Sequence, residues 1–293
     1  MNQRLRKYQN RMMMGIFIVA TLIALIPLFG VLGYVVKNGL SALNLQFFMN
    51  LPKAMGEQGG GMANSIVGTL TMVMIASLIG IPVGILASIY LSEYDRTSWL
   101  SIAVRFATDV LTGIPSIIVG IVIYTTLVMK MGHFSALAGG LALSIIMIPM
   151  IIRSTEEMLK LVPHSIREAG YALGVSKGRT ILKIVLPTAA KGIIAGAILA
   201  VARVSGETAP LLFTALGNQY WTHSLNEPIA ALPVQIYQYA TSPYKEWQQQ
   251  AWAGSLVLIS LVVILNVIAR LVFRSRSNVQ GGEFLNGSKS KRS

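Results

Sequence analysis

Six apolar stretches, each long enough to cross about 30 Å of hydrocarbon at roughly 1.5 Å per residue, constrain this chain more than anything else in it. They run over residues 14–36, 64–91, 102–129, 135–152, 188–213 and 251–273. In lipid every backbone N–H and C=O must be satisfied inside the protein, and a helix does so within each segment. The chain therefore reads as all-α and polytopic, with six transmembrane helices. Composition agrees: 54% of residues are hydrophobic and 12% charged, against about a quarter charged in an ordinary soluble domain. Pro27, Pro82, Pro115, Pro149 and Pro210 lie within the stretches or at their ends, where neighbouring helices satisfy the freed backbone groups.

The net charge is +13. In a soluble chain that excess would suggest nucleic acid; here it reports topology, and no nucleic-acid partner is expected. Nineteen of the 24 Lys and Arg fall in the tail 1–13, the 92–105 loop, the 153–191 loop and the C-terminal part from Arg270 onward. The positive-inside rule puts these segments in the cytoplasm, so both termini are expected there and the number of spans is even. The plan is a basic cytoplasmic tail over 1–13, a transmembrane domain over 14–273 and a polar cytoplasmic tail over 274–293 with the composition of a disordered segment. The first apolar run is too long for a signal-peptide core and reads as an uncleaved span. On the outer side, Gly59-Gly60-Gly61 reads as a flexible lead-in to the second span. A short helix is expected over 229–240, with Tyr237 and Tyr239 at the membrane interface.

Several chemistries are excluded. Cysteine is absent, which removes disulfides and thiolate metal sites. His133, His164 and His223 share no ligand spacing, so no metal site is expected. No G-x-x-x-x-G-K-[ST] phosphate loop occurs, so any ATP and Mg belong to a partner. No His–carboxylate pairing is apparent, and no catalytic residue or cofactor is expected in this chain.

The longest polar interruption contains Glu168 to Pro187. Ser165 and Glu168 have capping-box spacing. Ile166, Ala169, Gly170 and Leu173 share one helical face, nearly flat at Ala169 and Gly170. Gly174 stands where a C′ glycine ends a helix. Ser176 caps a second helix carrying Lys177, Arg179 and Lys183, and Pro187 opens the next span. Two readings fit this hairpin: an amphipathic helix lying on lipid headgroups, or a dock for a partner.

Charges near the spans are the other candidates, since intramembrane charge is expensive and usually functional. Arg203 and Glu207 stand four residues apart, with Arg203 roughly 24 Å along the fifth span from Pro187. Arg153 lies at the end of span four with Glu156 and Glu157, and Arg105 with Asp109 at the start of span three. Each set also has a structural reading, a self-neutralising pair at i+3 or i+4, or an arginine snorkelling to the interface. Two arginines facing one cavity would suit a tetrahedral or planar oxyanion, because guanidinium presents fixed, always-charged donor forks.

Glu168, Ala169, Gly170, Gly174, Ile184, Leu186 and Pro187 resemble the EAA loop of ABC-importer permeases: Glu-Ala-Ala, three residues, Gly, nine residues, Ile, one residue, Leu-Pro. Gly170 in the third place is the one departure, small for small. Three further runs, 106–120, 153–163 and 202–214, are similar to phosphate-importer permeases. The 205–211 and 231–234 segments resemble the PstA type rather than the PstC type. The likeness covers about residues 60–273. It implies the type I importer (MetI-like) permease fold, with a cytoplasmic coupling loop over 160–187 bearing the EAA helices. It implies a bacterial inner (plasma) membrane protein that shares one pathway with a homologous PstC-type permease. A PstB-type ATPase dimer would bind ATP and Mg below, and a PstS-type phosphate-binding protein would dock above. Inorganic phosphate would be the substrate. Arg153, Glu156 and Arg203 would be the transport-critical charges, with Glu207 and Asp109 in the same pathway. The alternatives are another oxyanion, sulfate or molybdate, or a self-sufficient ion-coupled carrier or channel, which would need no ATPase dock.

Overall fold

The computed structural model describes residues 3–54, 57, 59–94 and 98–274. Among these the regular structure is helical, apart from an isolated bridge between Leu216 and Ile229. Helix α1 (Gln3–Ala42) precedes α2 (Ala63–Ile89), which closes in a π-helical turn, Tyr90–Tyr94. Then come α3 (Trp99–Gly113), α4 (Ser116–Ile123), α5 (Ala136–Lys160) and α6 (His164–Ala172). α7 (Lys177–Thr180) leads through a π-helical turn, Ile181–Val185, into α8 (Leu186–Val204). α9 (Ala209–Thr214), α10 (Leu232–Ala240) and α11 (Lys245–Arg274) complete the chain.

Among the described residues, five helical stretches are long and apolar enough to cross a membrane: Lys7–Ala42, Ala63–Tyr94, Ala136–Lys160, Lys177–Val204 and Lys245–Leu271. The stretch expected as a straight span over 102–129 is instead a bent pair, Trp99–Gly113 and Ser116–Met131, meeting at 107°. Pro115 explains the bend. Its ring disfavours helical backbone at the residue before it, and Ile114 is extended at φ −76°, ψ 132°. The fifth expected span is also interrupted, because α8 stops at Val204 and a separate short helix, α9, carries 209–214.

Small residues set how closely the helices approach. α2 and α5 run parallel, with Gly80 on Met147 and Gly84 on Ile151; a Cβ on Gly84 would lie 2.6 Å from the Ile151 side chain. α8 runs antiparallel to α5, with Gly192 on Met158 and Gly196 on Ser154. Met72, Leu143, Met147, Ile151, Val204 and Leu211 fill the core between them. α4 rests on α9, where a Cβ on Gly120 would lie 2.6 Å from Pro210 Cα. α1 stands outside this core along α11. Tyr34 meets Trp252 edge-on at 5.1 Å, while Ile16, Phe17, Leu22, Ile26 and Phe29 are exposed.

Two outer-segment expectations need correction. The glycine lead-in is tightly packed at Gly61, where a Cβ would lie 2.5–2.8 Å from the carbonyl oxygens of Asn50, Gln46 and Phe47. The helix expected over 229–240 starts at Leu232, and Tyr239 is buried, stacked 4.5 Å from Trp247. Burial raises the Tyr239 phenol above its ordinary value. The tail expected to be disordered, from residue 275 on, lies outside the described residues.

Candidate functional site

The polar hairpin follows α5 directly. The expected capping box does not form. Pro163 precedes the helix at φ −60°, ψ 142° with no side-chain cap, α6 starts at His164, and Ser165 falls inside its first turn. Proline pre-sets its own φ and needs no donor partner, so the helix begins at once. The far end matches the expectation. Gly174 is left-handed at φ +74°. Its N–H donates to Tyr171 O (2.9 Å) and the Val175 N–H to Gly170 O (3.1 Å), which is a Schellman termination. Ser176 precedes α7 but makes no side-chain cap. Pro187 does not open a new helix, since Lys177–Val204 is continuous. The π-helical turn just before it lets the Leu186 N–H reach Ile181 O. Pro187 then sits in the first turn of α8, where its missing N–H is harmless.

The flat face splits between two uses. Gly170 is buried, and a Cβ there would lie 3.1 Å from Thr180 and 3.3 Å from Ile184. Glu168 and Ala169 face outward, and Leu173 is 83% exposed, with Tyr171 and Leu182 also open. Large apolar side chains exposed on a polar hairpin suit contact with a partner protein or with lipid.

Beneath the hairpin lies an ion pair that sequence reasoning missed. Arg167 donates from Nε to Glu93 Oε2 at 2.9 Å and from Nη2 to Glu93 Oε1 at 2.6 Å. The hydrogen bonds to Glu93 raise the Arg167 guanidinium above its ordinary value despite burial, so it stays cationic at any working pH. The partners' separation of 74 positions in the sequence explains why neither stood out. Arg167 looked like one loop charge among seven, and Glu93 had no neighbour to suggest a role.

The charges at the α3–α5 contact pair between the two helices. Arg153 donates to Asp109 at 2.6 Å and Arg105 to Glu156 at 3.1 Å. The local pairs expected from spacing, Arg105 with Asp109 and Arg153 with Glu156 or Glu157, are replaced by cross-links between α3 and α5. The 107° bend lays α3 against the end of α5 and makes this exchange available. Lys160 also reaches Glu156, at 3.0 Å. These groups, with Thr108, Ile152 and Glu157, line a cleft of about 220 Å³. Arg153 and Asp109 keep 51% and 67% of their side chains exposed. Such an exposed pair contributes about 0–1 kcal/mol.

Arg203 pairs with Glu207 as its spacing predicted. Arg203 is 59% exposed and Glu207 only 7%, so the carboxylate is fixed and the guanidinium presented. Arg203 does not line the Arg153 cleft. Gly196 lies beside Ser154, which puts Arg203 roughly 9 Å farther than Arg153 from the α6 end along the helix axes.

Residues 80–278 match the family described as binding-protein-dependent transport system inner membrane component. The phosphate transport system permease protein PstA of Yersinia pestis is 45% identical over 94% of each chain. The chain belongs to the PstA family. The PstA of Haemophilus influenzae is 44% identical over 94% of this chain and 99% of that one. A permease chain from inward-facing MetNI methionine ABC transporter structures shares the fold, with TM-score 0.57 and 22% identity over 71% of this chain and 91% of that one. As a PstA-family member this is a multi-pass inner membrane permease subunit, non-catalytic and working with other transporter components.

Proposed function

We propose that this chain is the PstA-type subunit of an ATP-driven importer of inorganic phosphate. The observation that carries this reading is the 45% identity to a phosphate permease over 94% of both chains. The geometry supports it. Two arginines at different depths, each held by a carboxylate, offer two anion stations. With the α6 end in the cytoplasm, as the Lys and Arg distribution favours, phosphate reaches Arg203 first and Arg153 second. At each station phosphate competes with a carboxylate, so it is recognised without being trapped. A PstC-type permease completes the pathway over the exposed Arg203 face. A PstB-type ATPase dimer with its ATP and Mg docks on Glu168, Ala169 and Leu173, with Gly174, Ile184, Leu186 and Pro187 shaping the hairpin behind them. A PstS-type binding protein delivers phosphate to the opposite end, and both termini are cytoplasmic.

The test is uptake of labelled phosphate in a host lacking its own high-affinity phosphate permeases and carrying this chain with its cognate partners. Arg203→Ala removes a charge-assisted donor and is expected to lower uptake about tenfold or more. Excess sulfate or molybdate is expected to have no effect. Competition by either would replace phosphate with a broader oxyanion substrate, and full uptake by the variant would remove Arg203 from the pathway.

A further inference from the structure

A single guanidinium joins three elements at the α6 end of the bundle. Arg167, on α6, holds both oxygens of Glu93, in the π-helical turn that closes α2. It also donates to the last carbonyls of α5 and its linker: Nη2 to Leu159 O (2.9 Å), and Nη1 to Val162 O (2.6 Å) and Pro163 O (3.4 Å). Arginine has five N–H groups, and here there are five acceptors. Both side chains are buried, 7% exposed for Arg167 and 4% for Glu93, and a buried pair that loses one partner leaves a heavily penalised charge.

The covalent path from α6 to α5 is only Leu161–Pro163, about which α6 would otherwise swivel. The ion pair adds a second tie, from α6 directly to the end of α2. α2 is a rod of roughly 40 Å. Its far end is tied to α10 and the segment before it: the Leu232 N–H donates to Thr69 Oγ1 at 2.7 Å, and Gly68 lies against Ala230 O. We propose that Arg167 and Glu93 are positioning residues that lock the docking helix to α2, so that displacement of α6 reaches the opposite end of the bundle through α2. This rests on the reading above that α6 docks on an ATPase.

The test uses the assembled transporter in proteoliposomes, comparing wild type with Glu93→Gln, which keeps the size and removes the charge. Phosphate moved per ATP hydrolysed is expected to fall at least about fivefold in the variant, while the ATPase still co-purifies and ATP hydrolysis persists. A merely structural pair would change yield and not this ratio. A ratio equal to wild type overturns the latch alone. A wild-type chain that never retains an ATPase overturns the docking reading and the latch with it. If Glu93→Gln does not assemble, spin labels decide in a chain with the pair intact. Ser165→Cys and Tyr94→Cys are the only thiols, because the sequence has no cysteine. Their separation is expected to be the same with and without bound ATP, and a separation that changes with nucleotide overturns the proposal.

Discussion

Gly174 shows how one residue controls the hairpin. Its φ of +74° turns the chain from α6 toward α7, and an L side chain there pays roughly 1–2 kcal/mol, with more for a β-branched one. Space is not the obstacle, since an added Cβ would touch nothing within 4 Å. Gly174→Val is therefore expected to keep the transmembrane core, loosen the turn and reduce phosphate moved per ATP hydrolysed by about fivefold or more. Transport and ATPase rates on the reconstituted complex check this, and unchanged coupling would mean the turn does not orient the dock. The glycine was legible because a C′ glycine is a local signature. The Ser165–Glu168 capping box was an equally local signature and did not form, because Pro163 started the helix first. Arg167 was not legible at all, because its meaning depends on Glu93 and three carbonyl oxygens contributed by other segments.

Among the elements, two prolines illustrate opposite outcomes. Pro115 turns an expected span into a bent pair at 107°, and the bend carries Arg105 and Asp109 to α5. Pro187 interrupts nothing, because the turn Ile181–Val185 precedes it and the helix continues to Val204. Replacing Pro187 with Ala is thus expected to change stability by less than about 1 kcal/mol, since alanine adopts the same helical backbone and the main loss is proline's stiffening of the unfolded chain. Thermal unfolding of the purified chain in detergent checks this; a drop of many degrees would mean the proline itself holds the π-helical turn. The same contrast explains the ion pairs. Spacing of i, i+4 predicts pairing when nothing else competes, as for Arg203 and Glu207, and fails where a bend brings a partner from another helix, as for Arg153 and Asp109.

At the scale of the whole molecule, the bundle core of α2, α5, α8 and α9 is closed by small residues, while α1 packs along α11. The charges sort by end: the basic loops gather where α6 lies. A reporter fused after Ser293 is expected to behave as cytoplasmic, by fluorescence of a fusion that folds only in the cytoplasm or by absence of activity from one that works only after export. An exported signal would invert the molecule and reverse the order of the two arginine stations.

Hydropathy and charge sufficed for the all-helical membrane class, the positions of the apolar stretches and the hairpin between the fourth and fifth, because these follow from solvation of segments taken singly. The EAA-like spacing and the runs around Arg153 and Arg203 sufficed for the family, because they are contiguous in the chain. Tertiary structure alone decided which charges meet. Asp109 belongs with Arg153, Glu156 with Arg105 and Lys160, and Glu93 with Arg167. It also decided that Arg153 and Arg203 stand at different depths. These pairings are set by how a 107° bend and glycine-lined helix contacts place distant segments side by side. Buried or lipid-facing charge is tolerable only where a partner is in reach, and reach is a property of the packed bundle.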